Sequence, residues 1–291
     1  MSSANHDPGS LFSAADRVGP DPVFRSDLYI GTGDDYERFR PPYPQPLIRE
    51  LVERASLSGG GRLLDLACGT GQIAFALSGH FDEVWAVDQE PDMIRVGASK
   101  ARTLAVGHIC WLLSRAEDLI APSRAFQLVT LGNAFHRLPR GLIAGKAFAW
   151  LVPGGFIALL WGGSPTEEAT PWQRALAETV ELWVERLGAG DRVPTGWHQA
   201  RTSRPDLEVL KQAGFEPVGR FSAAVERDWT LESLAGFVYS SSALPRAVIG
   251  DRVTEFEADL RTRLRQAADD GPYRQSTEFA CDLAQRPPEE P

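Results

Sequence analysis

Apolar positions along this chain alternate between two regimes. Short, nearly continuous apolar runs stand at 62–67 (RLLDLA), 83–88 (EVWAVD), 108–113 (HICWLL), 126–131 (FQLVTL) and 155–161 (GFIALLW), each bounded by polar or glycine-rich connections. That pattern predicts strands buried on both faces. Between them, helical stretches are expected near 72–79, 91–102 and 139–151, so the chain reads as a βαβ series whose right-handed crossovers give a parallel sheet with helices on both faces. Upstream, Leu47, Ile48, Leu51, Val52 and Ala55 share one helical stripe behind Pro46, which suits a first turn. That helix should end before Gly59-Gly60-Gly61.

Beyond residue 161, PWQRALAETVELWVERL sets Trp172, Leu176, Val180, Trp183 and Leu187 on one helical face. A loop through Gly188, Gly190 and Gly196 and a short helix at 205–213 follow. Strands are predicted at 215–229 and across STEFACDLA, where Phe279, Cys281 and Leu283 alternate. Helices near 231–240 and 248–268 separate those two strands. The expected architecture is an α/β, Rossmann-like, seven-stranded and mostly parallel sheet with a helical lid inserted at about 231–268, before the last strand. Residues 1–28 have no sustained period and read as a flexible N-terminal arm, 29–285 as one domain and 286–291 as a flexible tail. Neither end is expected to carry chemistry.

Composition narrows the partners. A chain of 291 residues suits one α/β domain with a single active site. Its formal net charge of -9 offers no broad positive field, so nucleic acid and anionic membranes are not expected partners and a small-molecule ligand is. Cys68, Cys110 and Cys281 are an odd number without CxxC spacing, which predicts neither a disulfide framework nor a metal site and suits a reducing cytoplasm. The opening MSSANHDPGS lacks the apolar centre of a signal peptide, and no apolar run reaches membrane-spanning length. Monomer and homodimer both stay open.

The segment LLDLACGTGQIAFAL, residues 63–77, carries the strongest chemical signal: a strand runs into Gly69-Thr70-Gly71 and then into a helix. Glycines there permit backbone conformations closed to other residues and let a ligand approach the main chain. Gly69, Gly71 and Ala74 also satisfy the dinucleotide fingerprint GxGxxG/A. Asp65, inside the strand, disfavours a pyrophosphate but suits a cationic ligand. Asp88 ends the second strand, where its oxygens can accept both hydroxyls of a ribose, a feature that fits NAD as well.

At these residues the chain, from about Tyr36 to Leu283, resembles the class I methyltransferases that use S-adenosylmethionine (SAM). The resemblance implies that DLACGTG, with Ala67, Gly69 and Gly71, is the SAM-binding turn. It also implies that the acidic residue of AVDQEPDMI holds the ribose beside Gln89, with Met93 packed near adenine, and that Ala116 and Glu117 of SRAEDL meet the adenine edge. YERFRPPYP (36–44), NAFHRL (133–138) and DWTLESLAGFVYSSS (228–242) are similar to a bacterial small-molecule branch of the family, the type 11-like methyltransferases. In that branch Tyr36 and Arg40 would serve the methionine end, with Arg40 suited to its carboxylate. The branch commonly places an aromatic residue after the histidine of its AFH motif, whereas Arg137 stands here. The implied reaction is methyl transfer from SAM to an oxygen or nitrogen of a small molecule, with a secondary metabolite as the expected acceptor and S-adenosylhomocysteine (SAH) as product.

His136 follows the fourth strand, where an imidazole can serve as general base or simply bond loop backbone. Asn133 is a candidate for the methionine moiety or a turn former. Trp161, at the end of the fifth strand, and His198, in a glycine-containing loop, are candidate substrate contacts. Cys68 has no basic partner in sequence and reads as a small buried residue. Two other functions fit parts of the pattern: a SAM-binding fold repurposed as a non-methylating catalyst or binding module, and an NAD-dependent oxidoreductase. Asp65 and the lack of a Tyr-x-x-x-Lys pair oppose the second.

Overall fold

A computed structural model describes residues 21–166, 170–194, 196–268 and 272–289; most of the arm read at 1–28 lies outside them. Seven strands form one sheet: β1 (Arg62–Leu66), β2 (Glu83–Asp88), β3 (Ile109–Leu113), β4 (Phe126–Gly132), β5 (Leu151–Trp161), β6 (Glu216–Trp229) and β7 (Tyr273–Gln285). Their order is β3-β2-β1-β4-β5-β7-β6, and β7 runs antiparallel to both of its neighbours. The other pairings, β1 with β2 and β4, β2 with β3, and β4 with β5, are parallel. Consecutive strands leave β1 in one direction and β4 begins the other half, so the loops after β1 and β4 diverge. Ligands of such sheets bind in the crevice that this reversal opens.

The helices are α1 (Gly33–Phe39), α2 (Gln45–Arg54), α3 (Gln72–Leu77), α4 (Pro91–Thr103), α5 (Arg140–Trp150), α6 (Pro171–Arg186), α7 (Trp197–Ser203), α8 (Asp206–Gln212), α9 (Leu231–Tyr239), α10 (Arg246–Ile249) and α11 (Val253–Ala267). Strand side chains alternate between faces, and the core divides accordingly. Leu64, Leu66, Val129 and Leu131 pack with Ile143, Ala147 and Trp150 of α5. Leu63, Val84 and Leu128 pack on the opposite face with Leu47 and Leu51 of α2 and Ile73 and Leu77 of α3. A third core joins Trp172, Leu176 and Trp183 of α6 to Leu234 and Val238 of α9 and Phe256, Leu260 and Leu264 of α11. The helices between β6 and β7 therefore share their apolar face with α6, which precedes both strands.

Several local readings change. Helices α1 and α7 were not expected: each is seven residues long, too short to show a convincing period, and α7 replaces part of the glycine-containing loop. The single helix expected at 248–268 is split into α10 and α11 by a 3₁₀ turn at Gly250–Arg252. Residues 21–28 are fastened over the fold instead of trailing from it: Asp21 accepts hydrogen bonds from Arg140, and Leu28 is buried. Arg286, assigned to the tail, donates to the carbonyls of Phe148 and Leu151. Each segment is anchored by isolated side chains, which leave no periodic trace in sequence.

Candidate active site

The crevice at the reversal of strand order holds a cavity of about 890 Å³, counting its open mouth. Its floor is built from the residues that follow four strands: Ala67 and Gly69 after β1, Asp88 to Glu90 at the end of β2, Ser114 to Glu117 after β3, and Gly132 to Ala134 after β4. Met93 of α4 and Tyr36 of α1 add walls, and Phe24 to Tyr29 of the N-terminal segment lie across it. Ala67 and Asn133, the residues by which β1 and β4 turn away from each other, both have φ of 50°. Asparagine tolerates this left-handed conformation; alanine does so at a cost of about 1–2 kcal/mol, strain of a kind that gathers at functional sites.

Two carboxylates shape the turn after β1, in different ways. Asp65 is 1% exposed and accepts from the Ala74 N–H at 3.1 Å and the Thr130 hydroxyl at 2.8 Å. It thus ties β1 to β4 and to the first turn of α3, where a negative charge meets the positive end of the helix. Burial pushes its carboxyl up to about 7. Asp65 is not part of the cavity wall. Asp88 is: one of its oxygens accepts from the Gly69 N–H at 2.7 Å and the other from the Glu90 N–H at 2.9 Å. Gly69 has a φ of 57°, and a Cβ placed there would stand 3.3 Å from the Tyr36 ring. Gly71 serves packing instead, since a Cβ would lie 2.4 Å from the Trp111 ring.

Tyr36, Ala67, Gly69, Asp88, Gln89, Met93, Ala116, Glu117 and Asn133 line the cavity together. Arg40, Asp65, Gly71, His136, Trp161 and His198 do not. The Arg40 guanidinium donates to the Ser240 hydroxyl at 2.9 Å and to the Ser240 carbonyl at 3.1 Å, over the Phe237 ring, so it joins α1 to α9. Asn133 is locked to Gly162 by two hydrogen bonds, donating to its carbonyl at 3.0 Å and accepting from its N–H at 3.1 Å. His198 is exposed on α7. The 231–268 helices also stay out of the wall; the cover consists of residues 24–29.

His136 packs against Trp161, ring centroids 5.7 Å apart, and edge-on to Phe24 at 6.2 Å. The Trp161 indole N–H points to Asp282 at 3.2 Å, and Arg201 lies 3.6 Å from the Trp161 ring centroid. Burial first, then the positive Arg137 and Arg201, push the imidazole down to about 2. The ring stands between Trp161 and Phe24, outside the cavity wall.

Sequence reasoning passed over Glu90 and Arg137, both in the wall. Glu90 is 3% exposed, and its Oε1 is buried without a hydrogen-bond partner among the described residues. It stands at the N-cap of α4 without capping it. An acidic residue at a cap position beside an acidic strand end was the available signal. Among the described residues, no group of three or more His, Cys, Asp or Glu is arranged to hold a metal ion, and no helix is long and apolar enough to cross a membrane.

Residues 63–155 match the family profile described as "Methyltransferase domain". A demethylmenaquinone methyltransferase of Staphylococcus aureus is 32% identical over 183 residues, 61% of this chain and 75% of that protein. An uncharacterized methyltransferase of Mycobacterium tuberculosis is 32% identical over 160 residues, 54% of this chain, and the chain spans 61% of its length. Among solved structures, the 4+2 cyclase SpnF aligns with a TM-score of 0.53 at 20% identity, covering 94% of this chain and 100% of that one. The YcgJ protein of Bacillus subtilis aligns with a TM-score of 0.50 at 16% identity, covering 84% of this chain and 100% of the other. Fold, glycine turn and these relatives agree: the chain belongs to the class I SAM-dependent methyltransferases.

Proposed function

We propose that the cavity binds SAM and that the chain transfers its methyl group to an oxygen or nitrogen of a small molecule. The carrying observation is the acidic end of the cavity. Asp88 and Glu90, whose Oε1 has no hydrogen-bond partner among the described residues, are buried side by side behind a glycine turn, which suits a ligand that brings hydroxyl donors and positive charge and disfavours one that brings a diphosphate. Asp88 and Glu90 would accept from ribose hydroxyls, Met93 and Ala116 would flank the adenine, and Gly69 with Tyr36 would hold the methionine end. When bound, SAM supplies a methyl group already activated by its positive sulfur. The chain's own contribution is then alignment of the acceptor, worth up to about 7–11 kcal/mol in well-oriented reactions, and exclusion of water by residues 24–29. A secondary metabolite as acceptor rests on the small-molecule branch that the sequence resembles.

Titration calorimetry tests the cofactor, and mass spectrometry with methyl-labelled SAM tests the transfer. SAH should bind and NAD should not; binding of NAD in preference to SAH would remove the proposal. Glu90 adds a pH signature. Burial, followed by the nearby Asp88 and Asp92, pushes its carboxyl up to about 7, so the free protein holds a proton there below neutrality. The carboxylate accepts from hydroxyls more strongly than the protonated carboxyl, one of whose oxygens is a donor, so binding favours release of that proton. SAH affinity is therefore expected to be level above about pH 7.5 and to weaken by up to about tenfold per unit below about pH 7. Glu90→Gln should flatten the curve; a wild-type affinity independent of pH would dismiss this role.

A further inference from the structure

The 3₁₀ turn after β4, Phe135–Arg137, carries Arg137 into the cavity wall. Its guanidinium carbon lies 5.1 Å from the Tyr29 ring centroid and 5.6 Å from that of Phe24. Both rings belong to the segment that covers the cavity. Such contacts attract the positive charge without using its N–H donors. The Nε and Nη1 donors of Arg137 are buried and have no hydrogen-bond partner among the described residues.

Nearby arginines are treated differently by the same fold. Arg140, three residues on, gives its Nε, Nη1 and Nη2 to Asp21, Asp206 and two carbonyls. Arg40 is held by Ser240. Buried charged donors without partners are costly, and Arg137 carries that cost where the cavity is. A guanidinium offers two forks to a carboxylate, one from Nε and Nη2, the other from Nη1 and Nη2. Either fork includes one of the two unpartnered donors.

The cavity is also polarised along the sheet. Asp88 and Glu90 stand at the end of β2, and the other two arginines of the wall, Arg115 after β3 and Arg25 in the cover, are paired with Glu117 and Asp27, whereas Arg137 follows β4 on the other side of β1. If Asp88 and Glu90 take the ribose and Gly69 with Tyr36 the methionine end, as in the function proposed above, Arg137 is the remaining charged group of the wall without an assigned partner and is open to the second reactant. We propose that Arg137 anchors the acceptor through a carboxylate, so that the natural acceptor is a small carboxylic acid. This rests on the SAM-binding reading of the cavity.

The test uses the SAH-saturated protein and three probe pairs, namely benzoate, 4-hydroxybenzoate and phenylacetate, each with its primary amide, titrated by ligand-observed NMR. At least one acid should bind wild type at least tenfold more tightly than its amide. Arg137→Gln should erase that preference while leaving the Kd for SAH within threefold, which also reports that the variant folds, and Arg137→Lys should restore part of it. Equal binding or no binding of acids and amides, or a preference that survives in Arg137→Gln, overturns the proposal. So does a tenfold loss of SAH affinity in Arg137→Gln with affinity for 5′-methylthioadenosine unchanged, because the arginine would then serve the methionine carboxylate of SAM. Failure of wild type to bind SAH at all would be seen before any variant is made, and strikes the cofactor reading instead.

Discussion

Asp88→Asn is expected to weaken SAH binding by about 100-fold or more, the equivalent of about 3 kcal/mol, while Asp65→Asn changes it by less than about tenfold. The two substitutions make the same chemical change on neighbouring strands, and above about pH 8, where the Asp65 carboxyl is ionised as well, the contrast bears on hydrogen-bond geometry. At Asp88 both oxygens accept from backbone N–H groups, those of Gly69 and Glu90. An asparagine must turn its own NH₂ toward one of them, which leaves a buried donor facing a donor and shifts the glycine turn. Hydroxyl donors of the ligand lose a charged acceptor as well, at about 1.5–3 kcal/mol for each such hydrogen bond. At Asp65 the partners are one donor, the Ala74 N–H, and one hydroxyl, Thr130, that can reverse its role. Asparagine there can accept from Ala74 and donate to Thr130. Calorimetry on both variants checks the pair, and an equal loss from each would show that negative charge around the glycine turn, and not hydrogen-bond geometry, governs the site.

That contrast also marks what the sequence could and could not reveal. Strands β1 to β5 were legible because each carries a short apolar run, β7 because apolar and polar residues alternate along it, and the glycine turn because strand, glycines and helix follow one another within 15 residues, 63–77. Position along a strand is a local property. Which groups claim a side chain is not: Asp65 and Arg40 stand where a ligand contact was expected, yet Thr130 and Ala74 occupy the first and Ser240 the second. Those partners lie 65, 9 and 200 residues away. Conversely, Arg137 and the covering residues Phe24 and Tyr29 reach the cavity as single side chains outside the regular elements, with no repeat or spacing to announce them, and Glu90 is marked only by its place beside an acidic strand end.

The covering segment itself depends on one buried charge cluster, and Arg140→Met is expected to destabilise the protein by about 3–5 kcal/mol, the usual result of removing one partner from a buried ion pair. Arg140 is 2% exposed at the first turn of α5, the positive end of a helix, where a cation is disfavoured. It is tolerated because Asp21 accepts both from its backbone N–H at 3.0 Å and from its guanidinium at 2.7 Å, capping the helix from a distant segment. Asp206 pairs with the same guanidinium at 3.1 Å. Methionine conserves much of the volume but removes two ion pairs, leaving Asp21 to Arg204 alone and Asp206 to Arg201 alone, so the loss falls at the low end of that range. Asp21→Asn should cost less, because Asp206 still neutralises Arg140 and an amide oxygen can still accept from the α5 N–H. Its main effect should fall on the cover, since Phe24 and Tyr29 follow Asp21 within eight residues. Urea denaturation measures the first effect. Limited proteolysis measures the second, with faster cleavage near residues 21–29 in Asp21→Asn and protection regained when SAH is added. A stable Arg140→Met protein would mean that the cluster is dispensable and that the strap is held by its aromatic contacts alone.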